Sequence, residues 1–271
     1  MSLRISIVIP VRDVEEATDN CISHIINGSS ELPEIIVIDN GSEKPYKHNM
    51  ARTIRNENNI GFWPSMLQGI QAATSEIVLC MHNDVFIYER GFDQRIIEEF
   101  NKDPLLGIAG FFGARGVAID GGRLHPESQM LGLQYGTPWY ANGALLTGSN
   151  PAVVFDSLAM IFRKPFLYNI DYNVPPHHWT DRLITLRMVL AGYHAITIGI
   201  QFDHGGSWTP PTTLDSFAEN YCKEHNIPFA NGSWNMSIYE YGKNLFAREF
   251  NRACFGATRL HVKEDFTLEW S

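Results

Sequence analysis

The chemistry in this sequence is concentrated where apolar runs break into polar residues, and the sharpest break is His82-Asn83-Asp84. It follows Ile77 to Met81, a short and almost purely apolar run with a β-branched start. Such a run is the pattern of a strand buried on both faces of a parallel sheet. Ligands of open α/β sheets sit at the carboxyl ends of the strands, so Asp84 is a carboxylate placed for a ligand. An Asn-Asp pair also forms turns, and that reading stands beside the first. Two earlier runs end in the same way. Ile5 to Ile9 stops at Pro10 and continues as Val11-Arg12-Asp13, and Glu34 to Ile38 closes on Asp39-Asn40-Gly41-Ser42. Further on, Asp181 stands at the start of a helical pattern, where Asp commonly caps the first turn. His204 follows another strand, with Gly205-Gly206 behind it.

The elements that must position these residues alternate. Helical periodicity runs from about Val14 to Ile26, with Glu15 and Glu16 suiting the positive N-terminal end and Gly28 just past the stop. Thr53 to Arg55 reads as a short third strand, and Pro64 fits the first turn of a helix reaching Ala73. Gly91 to Asn101 reads as a helix and Ile108 to Phe112 as a fifth strand. Gly113 to Pro151 is Gly-rich without clear periodicity, as in a functional lid. Val153 to Phe162 then resumes as strand, with a short helix from Pro165. Arg182 begins a helix that stops at Gly192, and His194 to Ile200 is a last strand. Strands and helices in this alternation predict βαβ units and a mostly parallel, Rossmann-like sheet flanked by helices. Two amphipathic helices, about Thr212 to His225 and Ser237 to Cys254, form a C-terminal helical extension.

Composition narrows the function classes. With 271 residues and 44% hydrophobic content the chain can bury a sizeable core. Its net charge of −9 and pI near 5.5 argue against a general nucleic-acid binder, whose footprint is basic. Four scattered cysteines without C-x-x-C spacing predict reduced thiols rather than a disulfide framework or a zinc site. No apolar run is long enough to span a membrane, and Arg4 to Pro10 is too short for a secretory segment. A cytoplasmic protein is expected, with docking at the inner membrane face left open. Without a signal peptide, the N-x-S patterns at Asn231 and Asn235 carry no weight as glycosylation sites.

The string of motifs resembles the family 2 glycosyltransferases of the GT-A fold. Ile7 to Asp13 (I-V-I-P-V-R-D) is similar to the opening strand and nucleotide loop of that family, and Ile36 to Ser42 (I-V-I-D-N-G-S) to its second-strand motif. Asn59 to Phe62 through Gly69 resembles its N-x-G-F…N-x-G segment, although Leu67 stands where an asparagine is common. Met81 to Val85 resembles its DxD motif, with His82 in place of the usual Asn or Asp. Val153 to Lys164 is similar to the stretch near the acceptor, Ser157 replacing a glycine. Thr180-Asp181 to Tyr193 resembles E-D-x-D-L-x-x-R-x-x-x-A-G-Y, with Thr180 and Leu183 departing from it. The resemblance spans about Arg4 to Ser207.

What the resemblance implies is a glycosyltransferase, inverting and metal-dependent, that moves a sugar from a UDP-, dTDP- or GDP-sugar to a glycan or lipid-linked glycan. Pro10, Val11, Arg12, Asp13, Asp39, Asn59, Gly61, His82 and Asn83 would contact the donor. Asp84 and His204 would hold Mn²⁺ or Mg²⁺, Asp181 would be the catalytic base, and Asp156, Ser157 and Trp179 would meet the acceptor. Chemically, a divalent ion bridges diphosphate and carboxylate oxygens, and an imidazole suits Mn²⁺ better than Mg²⁺. A carboxylate can also take the proton of an attacking hydroxyl. The structural alternatives are a turn made by Asp39, helix caps at Asp13 and Asp181, and a bulge at Asp156. His82 is a weaker metal ligand than the other two on this reading, and His177 and His178 weaker still. Sugars pack on aromatic faces, so Trp139 and Tyr140 would line the acceptor site or pack within their own loop. On this basis residues 1–207 form the GT-A domain, with 1–112 the nucleotide half and 113–207 the acceptor half. Residues 208–271 pack on it, over the acceptor cleft or as a self-association surface for a homo-oligomer. The rivals are a sugar-phosphate nucleotidyltransferase and a nucleotide-sugar-binding protein that has lost turnover.

Overall fold

The computed structural model describes residues 4–128, 132–134, 137–139, 146–205, 211–230 and 232–271, without the side chains of 125–128, 132–134, 137–139 and 211–215. In chain order it runs β1 (Ile5–Val11), α1 (Glu15–Gly28), β2 (Glu34–Asn40), β3 (Arg52–Asn56), α2 (Phe62–Ala72), β4 (Ile77–Met81) and β5 (Val85–Ile87). The middle holds α3 (Phe92–Lys102), β6 (Leu106–Gly110), β7 (Phe112–Ala118), β8 (Arg123–Ser128), β9 (Gly132–Gln134), β10 (Thr137–Trp139), β11 (Ser149–Pro151), β12 (Val154–Phe155) and β13 (Ala159–Arg163). The last third holds α4 (Lys164–Leu167), α5 (Thr180–Leu190), β14 (His194–Ile198), β15 (Phe202–His204), α6 (Pro211–Glu224), α7 (Trp234–Ala253), β16 (Arg259–Val262) and β17 (Leu268–Trp270).

Eight strands form the central sheet in the order β11-β14-β6-β13-β4-β1-β2-β3. Within it only β13 and β11 run against the rest, so the sheet is mostly parallel. Its central strands β1, β2 and β4 are apolar at nearly every position because both faces are covered. On one face Ile7, Val37, Leu79 and Ile161 pack with α1 and α3. On the other Val8, Ile36, Val78 and Phe162 share a core with Met66 of α2, Leu183 of α5 and Phe246 and Phe250 of α7. The C-terminal part therefore packs into the same core as the sheet.

A smaller sheet, β12-β7-β16-β17 with β8 on β7, flanks the first. A two-stranded ribbon joins β5 to β15. Several sequence expectations change here. Gly113 to Pro151, expected to lack periodic structure, carries most of β7 and the short strands β8 to β11. The strand expected over Ile108 to Phe112 is divided between β6 and β7 in different sheets. The single strand expected over Val153 to Phe162 is two strands in different sheets, broken at Asp156-Ser157. Asp156 ends the first by accepting the Leu158 N–H at 3.2 Å, and an apolar pattern on both sides hides that break. The strand from His194 also stops at Ile198, and Phe202 starts the separate ribbon strand. The C-terminal extension keeps its two helices but ends in the β16–β17 hairpin, which adds to β7. The four cysteines form no disulfide, as expected, and no helix among the described residues is long and apolar enough to cross a membrane.

Candidate active site

Because β1, β2 and β4 are parallel neighbours, the loops that follow them meet at one edge of the sheet. Pro10, Val11, Arg12, Asn59, His82, Asn83, Asp84, Ser157 and His204, all expected as site residues, line one cavity of about 340 Å³ at that edge. Asp13, Asp39, Gly61, Asp156, Trp179 and Asp181 do not line it. The lining also includes Asn40, Phe62, Ser65 and Asn235, which sequence reasoning did not single out, and His177 and His178, which it ranked low. The Pro-Pro-His-His run was a legible signal for the last two. The contributions of Ser65 on α2 and Asn235 on α7 depend on helix faces that carry no motif.

His82, Asp84 and His204 form a tight cluster in this cavity. One donor atom from each lies within 4.8 Å of the other two. His82 Nδ1 is 3.9 Å from Asp84 Oδ1, and His204 Nε2 is 3.4 Å from the same oxygen. The ribbon brings His204 there, since it pairs with Val85 and the Gly205 N–H donates to the Asp84 carbonyl at 2.8 Å. His82 is held from behind by its own peptide N–H, which donates to the Leu158 carbonyl at 2.9 Å, and Asn83 Nδ2 is tied to Thr18 Oγ1 at 3.0 Å. Burial lowers the pKa of His82 and so favours the neutral ring that a metal needs. Burial acts the same way on His204, but the Asp84 carboxylate, 3.4 Å from its Nε2, outweighs it, and the pKa is raised.

Two imidazoles and a carboxylate fit one divalent ion. Donors held at roughly 2.1 Å from an ion stand about 3–4 Å apart, close to the spacing seen. The mixed N/O set suits Mn²⁺ better than Mg²⁺, which keeps to oxygen ligands. His82, the weaker expectation, thus belongs to the cluster on equal geometric terms with Asp84.

Asp39 and Asp13 serve the loops beneath the cavity. The Asp39 carboxylate is fully buried. It accepts the N–H groups of Ser42 and Tyr46, each at 3.0 Å, and pairs with Arg55. Burial would raise its pKa, yet these hydrogen bonds more than reverse that and lower it. Asp13, at φ 55°, does not cap α1. Instead its Oδ1 accepts the Glu43 N–H at 2.6 Å while its own N–H donates to Ser42 Oγ at 3.0 Å, stitching the first two loops together. Asn59 Oδ1 accepts from Asn40 Nδ2 and from the Gly61 N–H. Gly61 has φ 96°, and a Cβ there would lie 2.8 Å from Pro176 Cβ, so the position needs glycine.

At the start of α5, Asp181 is not the helix cap. The turn into α5 is made at Trp179, φ 69°, and Asp181 sits in the first helical turn. Its carboxylate accepts the Arg182 N–H and faces that guanidinium, both at 2.9 Å. Asp156 pairs with Arg123 at 2.5 Å. Burial would raise the Asp156 pKa, and the Arg123 charge more than reverses it. Trp179 is buried between α5 and α7, against Tyr239 and Phe246. The Trp139 side chain, Tyr140 and Gly206-Ser207 lie outside the described residues.

A mostly parallel α/β sheet with a His–Asp–His cluster in the cavity at its carboxyl edge defines an enzyme-type ligand site. The family model for glycosyl transferase family 2 matches residues 6–167, and the chain belongs to that family. Two solved structures share the fold. The mannosyltransferase PcManGT from Pyrobaculum calidifontis, in complex with GDP-Man and Mn²⁺, is 12% identical with a TM-score of 0.55, over 93% of this chain and 74% of that one. S. aureus TarS, residues 1–349, is 13% identical with a TM-score of 0.52, over 93% of this chain and 72% of that one. Comparison with curated protein sequences finds no match. The protein is a glycosyltransferase of the GT-A fold, and the nucleotidyltransferase reading is set aside.

Proposed function

We propose that this enzyme is metal-dependent and inverting, and that it transfers a sugar from a nucleoside-diphosphate sugar to a hydroxyl of a glycan or lipid-linked glycan. The observation that carries the reading is the convergence of His82, Asp84 and His204 in the cavity that Pro10, Val11 and Arg12 also line. These three side chains would hold the ion, which supplies positive charge to the leaving diphosphate. Arg12 adds a fixed cation to the same region, and Asn59, Asn83 and Ser157 offer polar contacts to the donor and the reacting sugar. Asp39 works through the loop it anchors, setting the surface on which the base lies. Asp181 takes the acceptor's proton, with Arg182 orienting its carboxylate. One base and a direct displacement give inversion at the anomeric carbon. The GDP-Man and Mn²⁺ held by the mannosyltransferase neighbour support this class of donor and ion.

Calorimetry with UDP, GDP and dTDP, with Mn²⁺ and then with EDTA, tests the reading. At least one nucleotide binds, and its affinity falls when the metal is chelated. Asp84→Asn keeps the shape and removes a ligand charge, so it weakens metal-supported nucleotide binding by about tenfold or more. Equal affinity with and without EDTA would remove the metal from the scheme.

A further inference from the structure

We propose that His177, His178 and Asn235 form the wall that holds the acceptor's sugar hydroxyls, which makes helix α7 part of acceptor specificity. The proposal rests on the glycosyl-transfer reading above. The cavity lining has two unlike parts. Arg12, His82, Asp84 and His204 make one part, suited to charge. His177, His178 and Asn235 make the other, and no formal charge need reside on any of them.

The hydrogen-bonding character of this second part is specific. His178 Nε2 lies 3.1 Å from Asn235 Oδ1. An amide oxygen only accepts, so Nε2 carries the proton and Nδ1 is left as an acceptor. His177 stands edge-on to Phe217 of α6 at 4.9 Å. Its buried Nε2 has no hydrogen-bond partner among the described residues. A buried ring nitrogen without a partner is costly, and the His177 side chain belongs to the cavity lining. Burial pushes the His177 pKa down to about 3 and lowers that of His178, so both rings are neutral near pH 7. Neutral groups that donate and accept match hydroxyls, which do both, better than they match phosphate or carboxylate.

Position agrees with chemistry. His177 and His178 directly precede the turn at Trp179 that leads into α5, whose first turn carries the proposed base Asp181. All three residues lie beyond residue 167, where the family match ends.

The same hydroxyl chemistry has two sources, the acceptor and the donor's own sugar, and the test separates them. The full chain, ¹⁵N-labelled at histidine and saturated with UDP or GDP and Mg²⁺, is titrated with methyl glycosides of glucose, galactose, mannose, N-acetylglucosamine and rhamnose. At least one glycoside is expected to move the ring-nitrogen resonances of His177 and His178. Asn235→Ala, and separately His177→Gln, should weaken that glycoside by about tenfold or more. Both should leave the affinities for UDP, GDP, UDP-glucose and GDP-mannose within about twofold of wild type. Nucleotide binding with no response of either ring to any glycoside would overturn the proposal alone. Weakened nucleotide-sugar binding with nucleotide binding intact would assign the wall to the donor's sugar and also overturn it. Failure of the wild type to bind UDP, GDP or dTDP would instead remove the glycosyl-transfer reading beneath it.

Discussion

At the scale of single residues, the same carboxylate type does three different jobs in this protein, and surroundings decide which. Asp84 is drawn between two imidazoles in the cavity, Asp39 is buried under a loop, and Asp181 stands in the first turn of a helix. Asp181→Asn keeps the oxygen that accepts the Arg182 N–H but removes the charge that the Arg182 guanidinium faces, so folding stability should fall by about 1–3 kcal/mol in urea titration. Transfer should fall by a factor on the order of 10²–10⁴, because an amide cannot take a proton, while nucleotide affinity is kept. Near-normal transfer would pass the base role to another group, Asp156 first. Asp39 makes a different prediction. Its pKa is lower folded than unfolded, so the unfolded chain binds more protons in the acid range and stability rises with pH there. The contribution is complete above the unfolded value of about 4 and is lost as pH falls through the folded value. Asp39→Asn should therefore cost about 1–3 kcal/mol at pH 7 and flatten the dependence of stability on pH between 5 and 3. An unchanged slope would mean that the carboxylate is not ionised in the folded loop.

Elements were legible wherever one physical signal dominated. β1, β2 and β4 were read within a residue or two at most ends because strands buried on both faces are apolar throughout. The break at Asp156 was legible only as a bulge, since apolar residues continue on both sides and the change of sheet shows only in the pairing of β12 and β13. The β16–β17 hairpin was legible and passed over. Buried Leu260 and Val262 alternate with outward Arg259 and His261, a strand period set beside two louder helices. Gly69 shows how a motif position serves packing. It lies on α2 where the helix crosses β1, and a Cβ there would stand 2.2 Å from Val8 Cγ1. Gly69→Ala should destabilise the protein by about 1–3 kcal/mol in urea titration, through separation of helix and strand rather than helix propensity. An increase in stability would show that α2 can shift without cost.

At the scale of the whole molecule, the site joins parts of the chain that no local pattern connects. His204 reaches Asp84 only through the ribbon of β15 on β5, and Asn235 reaches the cavity only because α7 packs across α5. Motifs at strand ends therefore marked most of the cavity lining in advance, whereas the contributions of Ser65 and Asn235 depended on packing that the sequence does not spell out. The core supports one consequence for folding. Phe246 and Phe250 of α7 and Leu260 of β16 share a buried cluster with Val8, Ile36 and Val78 of the central sheet. Elements that share this cluster should open together. Amide exchange followed by mass spectrometry should give the slowest amides of β4 and α7 the same opening free energy. Phe250, fully buried and edge-on to Trp270 at 5.0 Å, tests the coupling directly. Phe250→Ala should lower that free energy by about 3–5 kcal/mol in both elements together. Loss of protection confined to α7 would make residues 208–271 a separately folding unit docked on the sheet.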